Sequence, residues 1–293
     1  MAPCDAAPCA KCRGGGVRSS FGKVACGLRP RGRFVGAAAA LFVAFVALGV
    51  LSGLGAARTA RADSESRIRV AFVGDSISDG YWEGVSVTAG RDSCLKSLFE
   101  IGRFAKNSTG LTRPDRFDWV AELRRVGESF KPRLFVISVG LNDRQSVVEH
   151  GQITMDDSPP YDDKYKERVT AVLAAAAAVK ASLLWIGLPA MRAPATDKDA
   201  REKNRLFEEA IKAFGSPAIQ YVEPWKLNVG GSDAFASYGP DQNGRMVQIR
   251  TPDGEHFTVA GEMLTAAYLL PRITGALTQD GVPPCGTTEV RSQ

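Results

Sequence analysis

Three short stretches of this 293-residue chain carry the residue types that acyl chemistry needs. Gly74-Asp75-Ser76 closes one apolar run, Gly140-Leu141-Asn142-Asp143 closes another, and Asp253-Gly254-Glu255-His256 stands late in the chain. A serine hydroxyl is a useful nucleophile only when a base within hydrogen-bond reach takes its proton. The chain has two histidines, His150 and His256. His150 sits in Glu149-His150-Gly151, without a carboxylate at a useful spacing, and reads as a surface residue. His256 has Asp253 three residues before it. If that segment begins a helical turn, positions three apart share a face, so the carboxylate can receive one imidazole N–H. The other ring nitrogen is then free for the Ser76 proton, which is the logic of a serine triad.

These side chains act together only if the fold gathers them. Apolar, β-rich runs at 68–73, 100–105, 134–139, 183–188 and Ile219–Val222 alternate with helix-like stretches at 82–98, 117–130, 164–181, 199–214 and 259–274. Strand–helix alternation with nearly all-apolar strands predicts an α/β fold with a parallel sheet covered on both faces. Ligands of such sheets sit beyond the carboxyl ends of the strands. Ser76 follows the first strand, the small-residue loop Asn107-Ser108-Thr109-Gly110-Leu111 follows the second, and Asn142 follows the third. Each has a plainer reading, because Gly, Asn, Asp and Ser end strands in any case. Their convergence on one end of the sheet favours function. The alanine-rich stretch 171–179 reads as a buried helix face. The acidic stretch 156–163 lacks calcium-loop spacing and reads as a solvated loop. The glycine-rich segment 227–252 reads as a hairpin insertion before the last helix.

Composition separates residues 1–62 from residues 63–293. Seven basic residues precede an uncharged stretch at 34–56, and Ala60-Arg61-Ala62 follows as an A-x-A cleavage signature. The stretch is long enough to span a bilayer, so a cleaved signal peptide and a retained single membrane anchor both remain open. In either case the basic excess orients the rest of the chain outward, to the periplasm or beyond. The leader holds nine of the 37 Lys and Arg and one of the 32 acidic residues, leaving residues 63–293 with 28 basic and 31 acidic ones. The basic balance of the whole chain therefore belongs to the leader and gives no support for a nucleic-acid partner. Four of the six cysteines lie in the leader without a plausible metal-ligand set. Cys94 and Cys285 remain, as a disulfide or as two thiols. Neither a metal nor a cofactor is expected.

The set Gly-Asp-Ser, a glycine-containing loop, Gly-x-Asn-Asp and a late Asp-x-x-His resembles the SGNH (GDSL-type) hydrolase superfamily. Stretches such as STGLTRPDRFDW, GLNDRQS, WIGLPAMRAP and DGEHFTVAG are similar to a poorly characterised bacterial periplasmic branch of it. The resemblance implies a three-layer, flavodoxin-like α/β/α sandwich with a five-stranded parallel sheet. It also implies that Ser76, Asp253 and His256 are catalytic, and that Ser76, Gly110 and Asn142 supply the oxyanion donors. Near the expected rim stand Tyr81, Trp82, Trp225 and Arg192, of which Trp82 and Arg192 are the candidate substrate contacts. The leading expectation is an exported serine esterase that removes an acyl group, most simply acetyl, from a carbohydrate or cell-envelope glycan or a small ester. An O-acyltransferase using the same triad and a non-catalytic envelope-binding protein on the same fold are the alternatives.

Overall fold

A computed structural model describes residues 67–224, 234–279 and Cys285. The leader, with its apolar stretch, and Trp225 lie outside the described residues. No helix among the described residues is long and apolar enough to cross a membrane.

Five strands form one parallel sheet: β1 (Ile68–Gly74), β2 (Phe99–Ala105), β3 (Leu134–Ser138), β6 (Ser182–Ile186) and β7 (Ile219–Val222). Their order is β2-β1-β3-β6-β7, the doubly wound flavodoxin-like arrangement whose switch point lies between β1 and β3. The central strands are buried along nearly their whole length, while the edge strand β2 is only partly covered. This is why the central strands read as unbroken apolar runs.

Helices cover both faces. Helix α1 (Ser76–Arg91) packs on α6 (Val259–Gln279), and α3 (Trp119–Ser129), α4 (Tyr161–Ala178) and α5 (Pro194–Phe214) pack in sequence on one another. The short α2 (Ser93–Leu98) leads into β2. Two antiparallel hairpins are added, β4 (Val147–Glu149) with β5 (Gln152–Thr154), and β8 (Tyr238–Pro240) with β9 (Met246–Gln248). The second lies within the hairpin insertion expected at 227–252. The first was not foreseen, because its strands are three residues long and carry no clear alternation. His150 sits exposed at its turn, with a positive φ followed by Gly151.

Two helix starts differ from the sequence reading. Helix α1 begins at Ser76 instead of residue 82, because the Asp75 side chain accepts the Ile77 N–H and caps it. Helix α5 begins at Pro194, which as a first-turn residue needs no N–H partner. Cys94 and Cys285 are joined in a disulfide that closes 191 residues of sequence.

Candidate active site

The earlier start of α1 places Ser76 at the first position of a helix, directly beyond the carboxyl end of β1. Its backbone N–H belongs to the first turn, where no intrahelical acceptor exists. Gly74 makes the tight exit from β1 possible. It has φ +143°, and a β-carbon there would lie 1.8 Å from the Ser138 carbonyl oxygen.

Ser76 Oγ lies 2.7 Å from His256 Nε2, and His256 Nδ1 lies 2.8 Å from Asp253 Oδ2. A carboxylate can only accept, so the Nδ1–H donates to Asp253 and Nε2 is left to accept the Ser76 hydroxyl proton. The remaining Asp253 oxygen accepts from the Thr251 hydroxyl at 2.6 Å, the Glu255 N–H at 2.7 Å and the His256 N–H at 3.1 Å. Partial burial works against the charge on Asp253, but these donors and the imidazole outweigh it and hold its pKa well below the usual carboxylate range.

Asp253 and His256 do meet, though not on a helical turn as expected. They share a compact loop closed by a Thr251 N–H to His256 carbonyl bond, with Gly254 at φ +78°, and α6 starts only at Val259. The imidazole bond comes from this loop and its aspartate-centred turn.

Two arginines fasten the loop. Arg250 is 1% exposed, and its guanidinium donates to the carbonyls of His256, Glu255 and Ala190 at 3.2, 2.7 and 2.9 Å. It also lies over the Phe257 ring at 4.5 Å. Burial lowers its pKa to about 10, still far above neutrality. Arg192 donates to the carbonyls of Pro252 and Thr251 at 2.9 and 3.2 Å, and its own N–H bonds the Gly254 carbonyl. Arg192 thus stands at the crevice end as expected, and its guanidinium holds the histidine loop. Arg250 was missed from sequence. The only local signal is an arginine three residues before Asp253, and the carbonyls it binds include one 60 positions away.

The other two loops are tied to Ser76 by buried carboxylates. Asp75 accepts from the N–H groups of Gly140 and Leu141 at 2.9 and 3.0 Å, joining the serine turn to the loop after β3. Burial pushes its pKa up to about 7 against the pull of these donors. Asp143 accepts from the N–H groups of Leu111 and Thr112, the Thr112 hydroxyl and the Tyr165 hydroxyl, joining the loop after β3 to the loop after β2. Its pKa is also raised by burial. Gly110 lies so close to this carboxylate that a β-carbon would sit 1.9 Å from Asp143 Oδ1. Asn142 is half-buried, and its side-chain amide donates to the Thr109 carbonyl at 2.9 Å. That bond uses one of two amide protons and fixes the orientation of the other.

Ser76, Gly110, Asn142, Asp253 and His256 therefore gather on loops at one end of the sheet. Trp82 packs toward the β2 edge, with Arg103 stacked 5.2 Å from its ring centre. Tyr81 is corrected from a rim residue to a core one. It is fully buried and packs on Phe257, because a helix starting at Ser76 turns position 81 inward. Among the described residues no group of histidine, cysteine and acidic side chains could hold a metal ion.

A parallel sheet in this strand order, with the serine turn, the glycine loop, the asparagine and the late histidine at its carboxyl end, defines the SGNH (GDSL-type) hydrolase superfamily. Residues 69–272 match the family described as "Protein of unknown function (DUF459)", and the chain belongs to it. No curated protein matches the sequence significantly. Among solved structures, an acetyl xylan esterase, AlAXEase, is 18% identical with a TM-score of 0.50, the match covering 70% of this chain and 100% of that one. A carbohydrate esterase family 3 protein from Talaromyces cellulolyticus is 12% identical with a TM-score of 0.50, covering 72% of this chain and 99% of that one. At these identities the likeness is one of fold.

Proposed function

We propose that the chain is an exported serine esterase that hydrolyses an acyl ester, most simply an acetyl group, on a carbohydrate or cell-envelope glycan. The observation that carries the reading is the unbroken line Ser76 Oγ to His256 Nε2, and His256 Nδ1 to Asp253 Oδ2, at 2.7 and 2.8 Å. Ser76 Oγ attacks the ester carbonyl carbon while His256 Nε2 takes its proton. The carbonyl electrons move onto oxygen, where the Ser76 N–H, the Gly110 N–H and the Asn142 amide are the donors. The C–O bond to the alcohol then breaks, and His256 returns the proton to the departing alkoxide. A water, deprotonated by the same histidine, cleaves the acyl-serine and restores the site. Asp253 keeps the ring in the tautomer this requires and stabilises the imidazolium.

Support for the substrate class is the fold shared with proteins named as an acetyl xylan esterase and a carbohydrate esterase. Support for export is the leader and the Cys94–Cys285 disulfide, a bond typical of oxidising compartments.

The test is kinetic. The full chain, Ser76→Ala, His256→Ala, the double variant and Asp253→Asn are assayed on acetyl and longer p-nitrophenyl esters. Each of the first two single changes should remove most of kcat/KM, and the double variant should be little worse than either, because residues acting as a unit are non-additive. Asp253→Asn should be milder. Additive losses, or a His150→Ala variant as inactive as His256→Ala, would show that the base is wrongly assigned.

A further inference from the structure

The loop that carries Asp253 and His256 has no ladder of its own. The N–H groups of Glu255 and His256 turn inward to the Asp253 carboxylate, so the loop's carbonyls must find donors elsewhere. Of the six carbonyls from Thr251 to His256, five accept from Arg192 or Arg250.

The two arginines differ in what could replace them. Arg192 is exposed, so water can take over the bonds its guanidinium makes to Thr251 and Pro252. Arg250 is 1% exposed and packs on the Phe235 and Phe257 rings, 5.0 and 4.5 Å from their centres. Its hydrogen bonds run to three carbonyls and the Met191 sulfur, with no carboxylate among them. A buried cation without a counter-charge is costly. An apolar side chain would suit the aromatic neighbours without that cost, but it could not donate.

The acceptors define what the guanidinium holds. The Glu255 carbonyl belongs to the peptide group before the His256 Cα, and the His256 carbonyl to the one after it. Arg250 binds both, at 2.7 and 3.2 Å, and also binds the Ala190 carbonyl, in the loop after β6, at 2.9 Å. The histidine backbone is thereby fixed on both sides and referred to the sheet, while Asp253 holds the ring.

We infer that Arg250 is a positioning residue for the base: its guanidinium sets the direction in which the His256 side chain leaves the backbone, and so holds Nε2 on Ser76 Oγ before an ester arrives. The planar fork matters as well as the charge, because an ammonium is a point charge without fixed donor directions. The effect on rate rests on the esterase reading of Ser76; the placement of the ring does not.

Arg250→Lys, which keeps the charge, and Arg250→Met, which keeps the apolar stem, are compared with Arg192→Ala and the parent. Folding is checked by circular dichroism and thermal melting, and the full-length proteins are then assayed on p-nitrophenyl acetate. Both Arg250 variants should lose kcat by about 10²-fold with KM little changed, the scale set by a base displaced by ~1 Å. Arg192→Ala should lose only a few-fold. Independently of turnover, nitrogen NMR in a His150→Gln background reads the His256 ring alone. At mildly alkaline pH the parent's Nδ1–H should exchange slowly with water, and in Arg250→Lys it should exchange several-fold faster. Parental kcat or parental ring exchange in the folded Arg250 variants would overturn the proposal. So would an equal loss in Arg192→Ala, or a failure of both Arg250 variants to fold, which would make Arg250 a support of the fold alone. A parent that hydrolyses no ester would count against the reading of Ser76 and leave the ring exchange to decide the role of Arg250.

Discussion

Asn142 spends one amide proton on the Thr109 carbonyl, and in the proposed mechanism the other serves the oxyanion. Its worth is greatest when the substrate carbonyl becomes an oxyanion, since a donor already in place needs no reorganisation at that moment. Asn142→Ala should therefore lower kcat by roughly 10²–10³-fold with little change in KM, while circular dichroism and the melting temperature stay close to the parent's. A folded variant with full activity would reduce Asn142 to a strand-end turn residue. At this scale the sequence was legible wherever chemistry is local. Ser76, Asn142 and the Asp253–His256 spacing each lie within a few residues of their motif. Asp75 and Asp143 were visible as letters but not as ties, because their bonds run to residues 31 to 66 positions away. Arg250 was invisible for the same reason.

The contact between α1 and α6 sets how Ser76 meets His256, since one helix begins at the serine and the other follows the histidine loop. The two helices approach so closely that a β-carbon on Gly84 would lie 2.1 Å from the Glu262 carbonyl oxygen. The Glu262 side chain is caught in this interface. Burial, with Glu83 and Asp79 nearby, raises its pKa to about 7. A carboxyl whose folded pKa lies above its unfolded value contributes stability that is complete below the unfolded pKa and is lost as pH rises through the folded one. The parent should accordingly weaken between about pH 4.5 and pH 7. Glu262→Gln cannot ionise, so it should melt a few degrees higher than the parent at pH 8, about 2–4 °C for each kcal/mol recovered, with the gap closing by pH 5. Thermal melts of both proteins across that range make the comparison, and parallel curves would show that the carboxyl does not titrate there. Element order was readable from alternating apolar and amphipathic runs. The start of α1 was not, because glycine and serine at its head look like a turn until the Asp75 cap is seen.

Across the whole molecule, the Cys94–Cys285 bond ties Cys285 to α2, and the stretch it closes holds four of the five strands of the main sheet, β1 lying before it. Cross-linking so long a stretch restricts the unfolded chain, an effect typically worth 2–4 kcal/mol. Cys94→Ser should lower the melting temperature by roughly 5–15 °C. A reducing agent should do the same to the parent and nothing further to the variant, and insensitivity of the parent would show the two thiols to be free. Pairing could not be read from sequence, since the cysteines are 191 residues apart and only the fold brings them together. The Ser76–His256 contact spans almost as much, 180 residues. During synthesis the serine turn emerges early, and all five strands of the main sheet are complete by Val222, before the histidine has left the ribosome. Until then its serine remains an ordinary alcohol. The chain gains its base only when its final stretch arrives, so a product ending anywhere before His256 would carry Ser76 without the partner that takes its proton.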